Sequence, residues 1–226
     1  MSDPADSTSG LTLVELVGPI VDDRGLVALT LREVIGEAGL SLRPEATAAV
    51  IGASAAHAVA TMMGGHGRLE DEAAVAEVER RWGAALGRGD LALQPGALDA
   101  LNTISTRGPL AVLSNLPKPA VSSWVEQTFP GMTIASGSRG LPHPDAIVAA
   151  AAAADVPVGS ATVLAHSPAV LLAAAQAGVG RIVLVGPGSS PWTELVPVTA
   201  RVATLAEWGG GGQEVKGERQ NVKGET

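Results

Sequence analysis

The stretch LTLVELVGPIVDDRG, residues 11–25, decides how this chain folds. Residues 13–17 form a short apolar run, which predicts a buried strand. Gly18-Pro19 follows at once and predicts a turn, and Asp22-Asp23 then gives a short acidic loop. The opening of the chain is therefore expected to be a strand whose carboxyl end leads into a turn and two carboxylates.

Further apolar runs along the chain are predicted as strands, with helices between them. Sequences such as AVLS, TVLA and IVLV are typical of parallel strands that are covered on both faces. Each predicted helix begins at a proline, a favoured position for that residue. The strands are predicted at 110–114, 133–135, 162–165, 182–185 and, more weakly, 199–204, and the helices at 117–129, 144–155 and 168–177. This alternation predicts an α/β fold with a Rossmann-like parallel sheet.

Residues 26–99 interrupt the alternation, because they contain no convincing strand. Helical periodicity is present at 29–38, 44–63 and 70–86. An all-helical insertion after the first strand suggests a cap over the carboxyl ends of the strands, where ligands of α/β proteins bind. The predicted organisation is an α/β core at 11–25 and 100–206, a helical cap at 26–99, and disordered tails at 1–10 and 209–226.

Composition excludes several classes of function. The formal net charge of the 226 residues is −8, which disfavours nucleic-acid binding because that needs a basic face. The absence of cysteine removes disulfides and thiolate chemistry. No apolar run has the length of a membrane span, and the polar first ten residues are unlike a signal peptide. A cytoplasmic protein that contacts neither membrane nor nucleic acid is expected.

Four motifs, in order along the chain, resemble those of the haloacid dehalogenase-like (HAD) superfamily. They are VELVGPIVDD at 14–23, AVLSN at 111–115, RGLPHPDAI at 139–147 and ATVLAHSPAVLLAAAQAGVG at 161–180. With the helical insertion, the chain looks most like the phosphonatase-like branch of that superfamily. The resemblance implies an α/β core with a cap, and a magnesium-dependent hydrolase whose nucleophile is an aspartate. Relatives in this branch often pair through their caps, so a homodimer is implied as well.

The motif positions of this chain depart from the family pattern. Glu15 stands at the nucleophile and Val17 at the acid/base position, which is also small in phosphonatases. Ser114 is the one motif side chain that is retained in kind. The remaining departures are Leu141 at the cationic position and His166 and Val170 at the magnesium-binding aspartates. Since imidazole suits Mg²⁺ poorly and valine cannot bind it, no metal or other cofactor is expected.

These losses suggest a pseudoenzyme that binds a small molecule under the cap or acts through a protein partner. The residues expected to contact a ligand are Glu15, Ser114, Asn115 and His166. An alternative is a HAD hydrolase with rearranged catalytic residues, which would use Glu15, Asp22 or His166 and would require Mg²⁺. A second alternative is an interaction protein without a ligand site.

Two local features remain open on the sequence alone. Asp22 and Asp23 are either hydrogen-bonding residues at the hinge of the cap or a substitute metal pair. His166 is either a general base or a hydrogen-bonded residue that fills the space of the family's aspartate.

Overall fold

The computed structural model describes residues 10–23, 25–40, 44–64, 71–186 and 196–209. A six-stranded sheet lies at the centre of the molecule, in the order β5-β4-β1-β6-β7-β8, and all of its pairings are parallel. Its strands are β1 (Thr12–Glu15), β4 (Leu110–Leu113), β5 (Thr133–Ile134), β6 (Thr162–Ala165), β7 (Arg181–Val185) and β8 (Ala200–Val202). The predicted α/β fold with a Rossmann-like parallel sheet is therefore confirmed.

Both faces of the sheet are covered, as the apolar strands require. Alternate residues of β1 enter opposite cores: Val14 packs on the side of the cap and Leu13 on the other side. Both are completely buried. The helices of the core are α5 (Ala97–Ser105), α6 (Lys118–Thr128), α7 (Asp145–Ala153), α8 (Pro168–Ala177) and α9 (Leu205–Gly209). Within the described residues, no helix is both long and apolar enough to cross a membrane.

The insertion after β1 is mostly helical, as predicted. It contains α1 (Leu26–Glu37), α2 (Pro44–Ala49), α3 (Ala55–Gly64) and α4 (Glu72–Arg88). Helix α4 is well terminated, because Asp71 accepts a hydrogen bond from the amide of Ala74 and Gly89 ends the helix in the left-handed conformation. Its Trp82 is buried among the helices, where the indole nitrogen donates to the carbonyl of Val27 at 3.3 Å. The Trp82 bond thus joins α4 to the start of α1.

Two features of the insertion differ from the sequence prediction. The expected helix at 44–63 is two helices, α2 and α3, which are separated by a turn at Gly52 with φ of +80°. In addition, two short strands flank the helices: β2 (Val21–Asp22) pairs with β3 (Ala92–Leu93), and the pairing is antiparallel. The prediction of no strand within 26–99 was therefore wrong for residues 92–93. Two residues are too few to show a period of two.

The segment after β8 packs against the core as helix α9. Gly209, which was assigned to the disordered tail, is buried at the end of α9 and packs on Ala100 of α5. Its carbonyl accepts a 2.7 Å hydrogen bond from Arg107. Residues 1–9 and 210–226, the rest of the predicted tails, lie outside the described residues. The predicted boundary at residue 99 falls inside α5, and the division into core and cap remains a prediction.

Candidate functional site

A cavity of about 500 Å³ lies at the carboxyl ends of the central strands, beneath the cap. The ends of β1, β6 and β7 form its floor, and residues of α1 and of the α2–α3 turn face them. Its lining also includes the acidic loop and the segment that leads from β8 into α9. Of the predicted site residues it contains Glu15, Val17, Asn115 and His166. It also contains Asp22 and Asp23.

Glu15 is the last residue of β1, and its side chain is buried. Its Oε2 atom accepts hydrogen bonds from two consecutive backbone amides, that of His166 at 2.7 Å and that of Ser167 at 2.9 Å. Burial raises the pKa of the carboxyl group, while the hydrogen bonds from Ser167 and His166 partly oppose the rise. Glu15 thus ties the central strand to the N-terminus of α8, where Ser167 is the capping residue.

The ring of His166 is held by backbone on three sides. Its Nδ1 lies 3.0 Å from the carbonyl oxygen of Val185, and a carbonyl can only accept, so Nδ1 carries the proton. In the neutral ring, Nε2 is then the acceptor. A β-carbon on Gly18 would lie 2.7 Å from Cβ of His166, and one on Gly186 would lie 3.1 Å from Nδ1. The interpretation of His166 as a hydrogen-bonded residue is supported by its contact with Val185.

Asn115 and Ser114 are neighbours in sequence but lie on different cavities. Asn115 is 9% exposed and lines the large cavity, and its Nδ2 has no hydrogen-bond partner within the described part of the chain. Ser114 lines a second cavity of about 160 Å³ together with Leu141. The Ser114 hydroxyl accepts a 3.0 Å hydrogen bond from the amide of Leu116, which closes a local turn. The structure therefore brings Asn115, but not Ser114, to the cavity that contains Glu15.

The acidic loop contributes a side chain that caps the start of α1. Asp23 accepts hydrogen bonds from the amides of Gly25 at 3.0 Å and Val27 at 3.2 Å, which satisfies the N-terminus of α1. These bonds agree with the interpretation of Asp23 as a hydrogen-bonding residue, and its place at a hinge of the cap stays a prediction. Gln94, which sequence analysis did not single out, lines the cavity and donates to the carbonyl of Gly18 at 3.0 Å.

The cap touches the core directly above Glu15, through the turn between α2 and α3. Gly52 is so close to Ser167 that a β-carbon at position 52 would overlap its side chain, and the same β-carbon would lie 3.1 Å from Oε1 of Glu15. Two residues on, the amide of Ser54 donates to the carbonyl of Leu141 at 2.9 Å. The glycine inside a helical pattern was the available sequence signal for this turn.

The two remaining motif positions, Leu141 and Val170, carry apolar side chains that are buried in a hydrophobic cluster. Leu141 is 4% exposed, and Val170, in the first turn of α8, is completely buried in the core. Arg139, near the position of the family's cation, makes an ion pair with Asp145 at 3.2 Å. The hydrogen bond from Ser138, followed by that from Arg139, lowers the Asp145 pKa to about 2. Leu141 and Val170 therefore offer no charge to a ligand.

The described residues around Glu15 do not fit a magnesium ion. Among the described residues, no cluster of three or more histidine, aspartate or glutamate side chains could hold a metal. Oε2 of Glu15 is committed to two amide protons, and Val170 contributes only hydrocarbon. Two backbone N–H groups thus provide the positive partner for the Glu15 carboxyl group. The donor set around Glu15 is therefore unsuited to a magnesium-dependent step.

Solved structures with the same architecture include hydrolases and a mutase. A hydrolase from Pseudomonas syringae matches with a TM-score of 0.74 and 16% identity, over 88% of this chain and 95% of that one. β-Phosphoglucomutase from Clostridium difficile matches with a TM-score of 0.70 and 15% identity, over 88% and 93%. A HAD family hydrolase from Deinococcus radiodurans R1, with bound phosphate and sodium, matches with a TM-score of 0.60 and 22% identity, over 90% and 94%.

These similarities define the class of fold: the chain has the α/β fold of solved HAD-family hydrolases, with a mostly helical insertion after β1. At such identities the likeness concerns the fold alone. A scan against models of protein families gives no match, and a search of curated proteins gives none.

Proposed function

We propose that this protein binds a small organic molecule in the cavity between core and cap, and that it does not perform magnesium-dependent phosphoryl transfer. The observation that carries the proposal is the state of Glu15. The carboxyl group at the nucleophile position is bound to two backbone amides and covered by Gly52. It therefore lacks the metal ligands that attack on phosphorus requires, and one of its two oxygens is already bonded to two amide protons.

The residues that differ from the family's motifs also support this proposal. Phosphoryl transfer depends on positive groups that stabilise the charge of the transition state. Leucine stands at the position of the family's cation, and His166 and Val170 replace the family's aspartates. We include in the proposal that the chain derives from the phosphonatase-like branch, on the four motifs quoted above. A regulatory role, a protein partner and a homodimer remain predictions.

A cavity of about 500 Å³ favours a binding protein over a scaffold without a ligand site. Small-molecule sites are concave, mostly apolar and furnished with a few polar groups. Here the polar groups include Asn115, Gln94 and Ser167, and apolar residues such as Ile51 and Leu205 complete the wall. An interaction protein would instead be expected to have a filled cleft.

Two measurements test the proposal. The first is phosphate release from an aryl phosphate and from phosphonoacetaldehyde in the presence of Mg²⁺, where the protein should give no more than the Glu15→Ala variant. Robust release that Glu15→Ala abolishes would refute the proposal. The second is a thermal-shift screen of small metabolites against the protein and two variants, Ala28→Phe and Ala149→Phe.

The two variants locate any binding found in the screen. Ala28 lines the cavity, so a phenyl group there should remove the stabilisation by a bound compound. Ala149 is exposed on α7, outside the cavity, and the same substitution should leave the stabilisation intact. Stabilisation that survives Ala28→Phe but not Ala149→Phe would place the site elsewhere.

A hydrolase that needs no metal is a second candidate, and one observation favours it. The contact with Val185 leaves Nε2 of His166 as the acceptor atom of a histidine on the cavity wall. Such an atom can accept a proton from water or from a substrate hydroxyl group. The solved structures of this fold include hydrolases. Turnover of an ester that resists EDTA and is lost in His166→Gln would establish this candidate.

A further inference from the structure

We propose that Glu15 acts as an internal ligand of the cavity. Its carboxyl group fills a binding site for carboxyl and phosphoryl oxygens, and so excludes ligands that would place such a group at the carboxyl end of β1. The inference goes beyond the proposed binding function, and its test does not need the ligand of that function to be known. It follows from two hydrogen bonds, from the burial of the carboxyl group, and from the continuity of this site with the cavity.

The filled site consists of two consecutive backbone amides. Those of His166 and Ser167 donate to the same oxygen of Glu15, at 2.7 and 2.9 Å. They lie directly before α8, whose capping residue is Ser167. Backbone N–H groups that converge at the start of a helix are an arrangement that binds carboxylate and phosphate oxygens. Here the bound oxygen belongs to the chain itself, so the amide pair is already seen to accommodate a carboxyl group.

An oxygen from outside the chain would have to compete with Glu15 for these amides. Each backbone N–H carries one proton, and both protons are already donated to Glu15. The carboxyl group is also enclosed, since Glu15 is 2% exposed and a β-carbon on Gly52 would lie 3.1 Å from Oε1. A ligand that displaced Glu15 would leave a buried carboxyl group without these donors, which is unfavourable.

Shortening the side chain at position 15 should convert this internal contact into an open site. Glu15, Gly52, His166 and Ser167 all line the cavity of about 500 Å³. Glu15→Ala removes a methylene group and the carboxyl group, which together have the heavy atoms of acetate. The space left behind would be continuous with the cavity, and the amide pair would have lost its acceptor. Acetate is therefore the free ligand that matches the missing part of the side chain.

Thermal unfolding in sodium acetate, compared with sodium chloride of equal ionic strength, tests the inference. Acetate should raise the melting temperature of Glu15→Ala above its value in chloride, because it binds the folded state. It should not do so for the wild type, in which the amides are occupied. Calorimetry should show that Glu15→Ala binds acetate at least about tenfold more tightly than the wild type does, as expected for regaining two hydrogen bonds.

Two matched variants distinguish the amide site from a hole of any kind in the cavity wall. Glu15→Gln keeps the length of the side chain and a carbonyl oxygen for the amides, so acetate should not bind to it. Val27→Ala enlarges the same cavity at a buried apolar residue of α1 and should not create a site for acetate. In the wild type, NMR should show that acetate and inorganic phosphate shift the amide resonances of His166 and Ser167 no more than chloride does.

The outcomes separate this inference from the proposed binding function. Acetate that fails to stabilise a folded Glu15→Ala variant, or that stabilises Val27→Ala equally, would overturn the inference and leave the metabolite screen unaffected. If Glu15→Ala does not fold, the NMR titration of the wild type decides. Amide resonances of His166 and Ser167 that respond to acetate or phosphate beyond the effect of chloride would show that Glu15 does not exclude these ions.

Discussion

Gly52 of the cap lies against Ser167 of the core so closely that no side chain fits between them. The contact joins the turn between α2 and α3 to the capping residue of α8, beside Glu15. The turn that contains Gly52 therefore limits the space beside the Glu15 carboxyl group. Three predictions concern this contact, the carboxyl group below it and the helices above it.

The Gly52→Ala variant should be destabilised because of two separate effects. Gly52 has a φ of +80°, which is unfavourable for alanine by about 1–2 kcal/mol. The new methyl group would also overlap the side chain of Ser167. Gly39→Ala is the matched control, since Gly39 has a φ of +78° and a β-carbon added there would meet nothing within 4 Å. Urea unfolding should show that Gly52→Ala loses about 1–3 kcal/mol more than Gly39→Ala, as expected for overpacking. Equal losses would show that the turn moves away from Ser167 freely.

The Glu15→Gln variant should change how stability depends on pH. Burial raises the Glu15 pKa in the folded protein, so the unfolded chain loses its proton first, near the ordinary value of 4.5. As the pH rises above 4.5, the folded wild type is therefore destabilised, by at most about 1.4 kcal/mol per pH unit, until its raised pKa is reached. Glu15→Gln lacks this loss, so the variant should gain stability relative to wild type over that range in urea unfolding at several pH values.

Glu77→Gln provides a control of opposite sign for the pH series. Hydrogen bonds from Arg80 and Arg81 lower the Glu77 pKa to about 2. The stability that Glu77 contributes is then present above pH 4.5 and lost as the pH falls toward 2. If Glu15→Gln lost stability relative to wild type as the pH rose, the assigned direction of the Glu15 pKa shift would be wrong.

The Arg81→Ala variant should weaken the packing of α1 on α4. Arg81 bonds to Glu77 within its own helix, at 2.6 Å, and to Glu37 of α1, at 2.8 Å. Arg80 is the matched control, because it forms a 2.7 Å ion pair with Glu77 of the same helix. Thermal unfolding should show a larger loss for Arg81→Ala than for Arg80→Ala, and the difference should diminish in high salt. A difference that persists in high salt would point to lost side-chain packing instead of charge.

Most of the sheet could be predicted from the sequence because β4, β6 and β7 contain the continuous apolar runs AVL, VLA and IVLV. The helix at 44–63 was predicted incorrectly because Ile51-Gly52-Ala53-Ser54 preserves the helical spacing of apolar residues. The break there depends on a tertiary contact, Gly52 on Ser167, that no local pattern contains. Ser54 gave a local signal, since its hydroxyl accepts from the amide of His57 as a helix cap does.

The site residues at the strand ends could be predicted from the sequence, whereas those contributed by loops could not. Glu15 and His166 follow from strand ends that meet at one edge of a parallel sheet. Ser114 and Asn115 are adjacent, and which of them faces the large cavity depends on the path of the loop after β4. Gln94 comes from the segment after β3, where no motif marks it. Asn115 and Gln94 can be recognised as site residues only from the folded structure, in which both line the cavity.

The hydrogen bond from Trp82 to the carbonyl of Val27 has a practical consequence. Val27 lies on the cavity wall, and the indole of Trp82 that donates to its carbonyl is shielded from solvent. Any compound that shifts the start of α1 must also alter the surroundings of this indole, and hence its fluorescence emission. The protein thus carries an intrinsic optical probe one hydrogen bond away from the space that a ligand would fill.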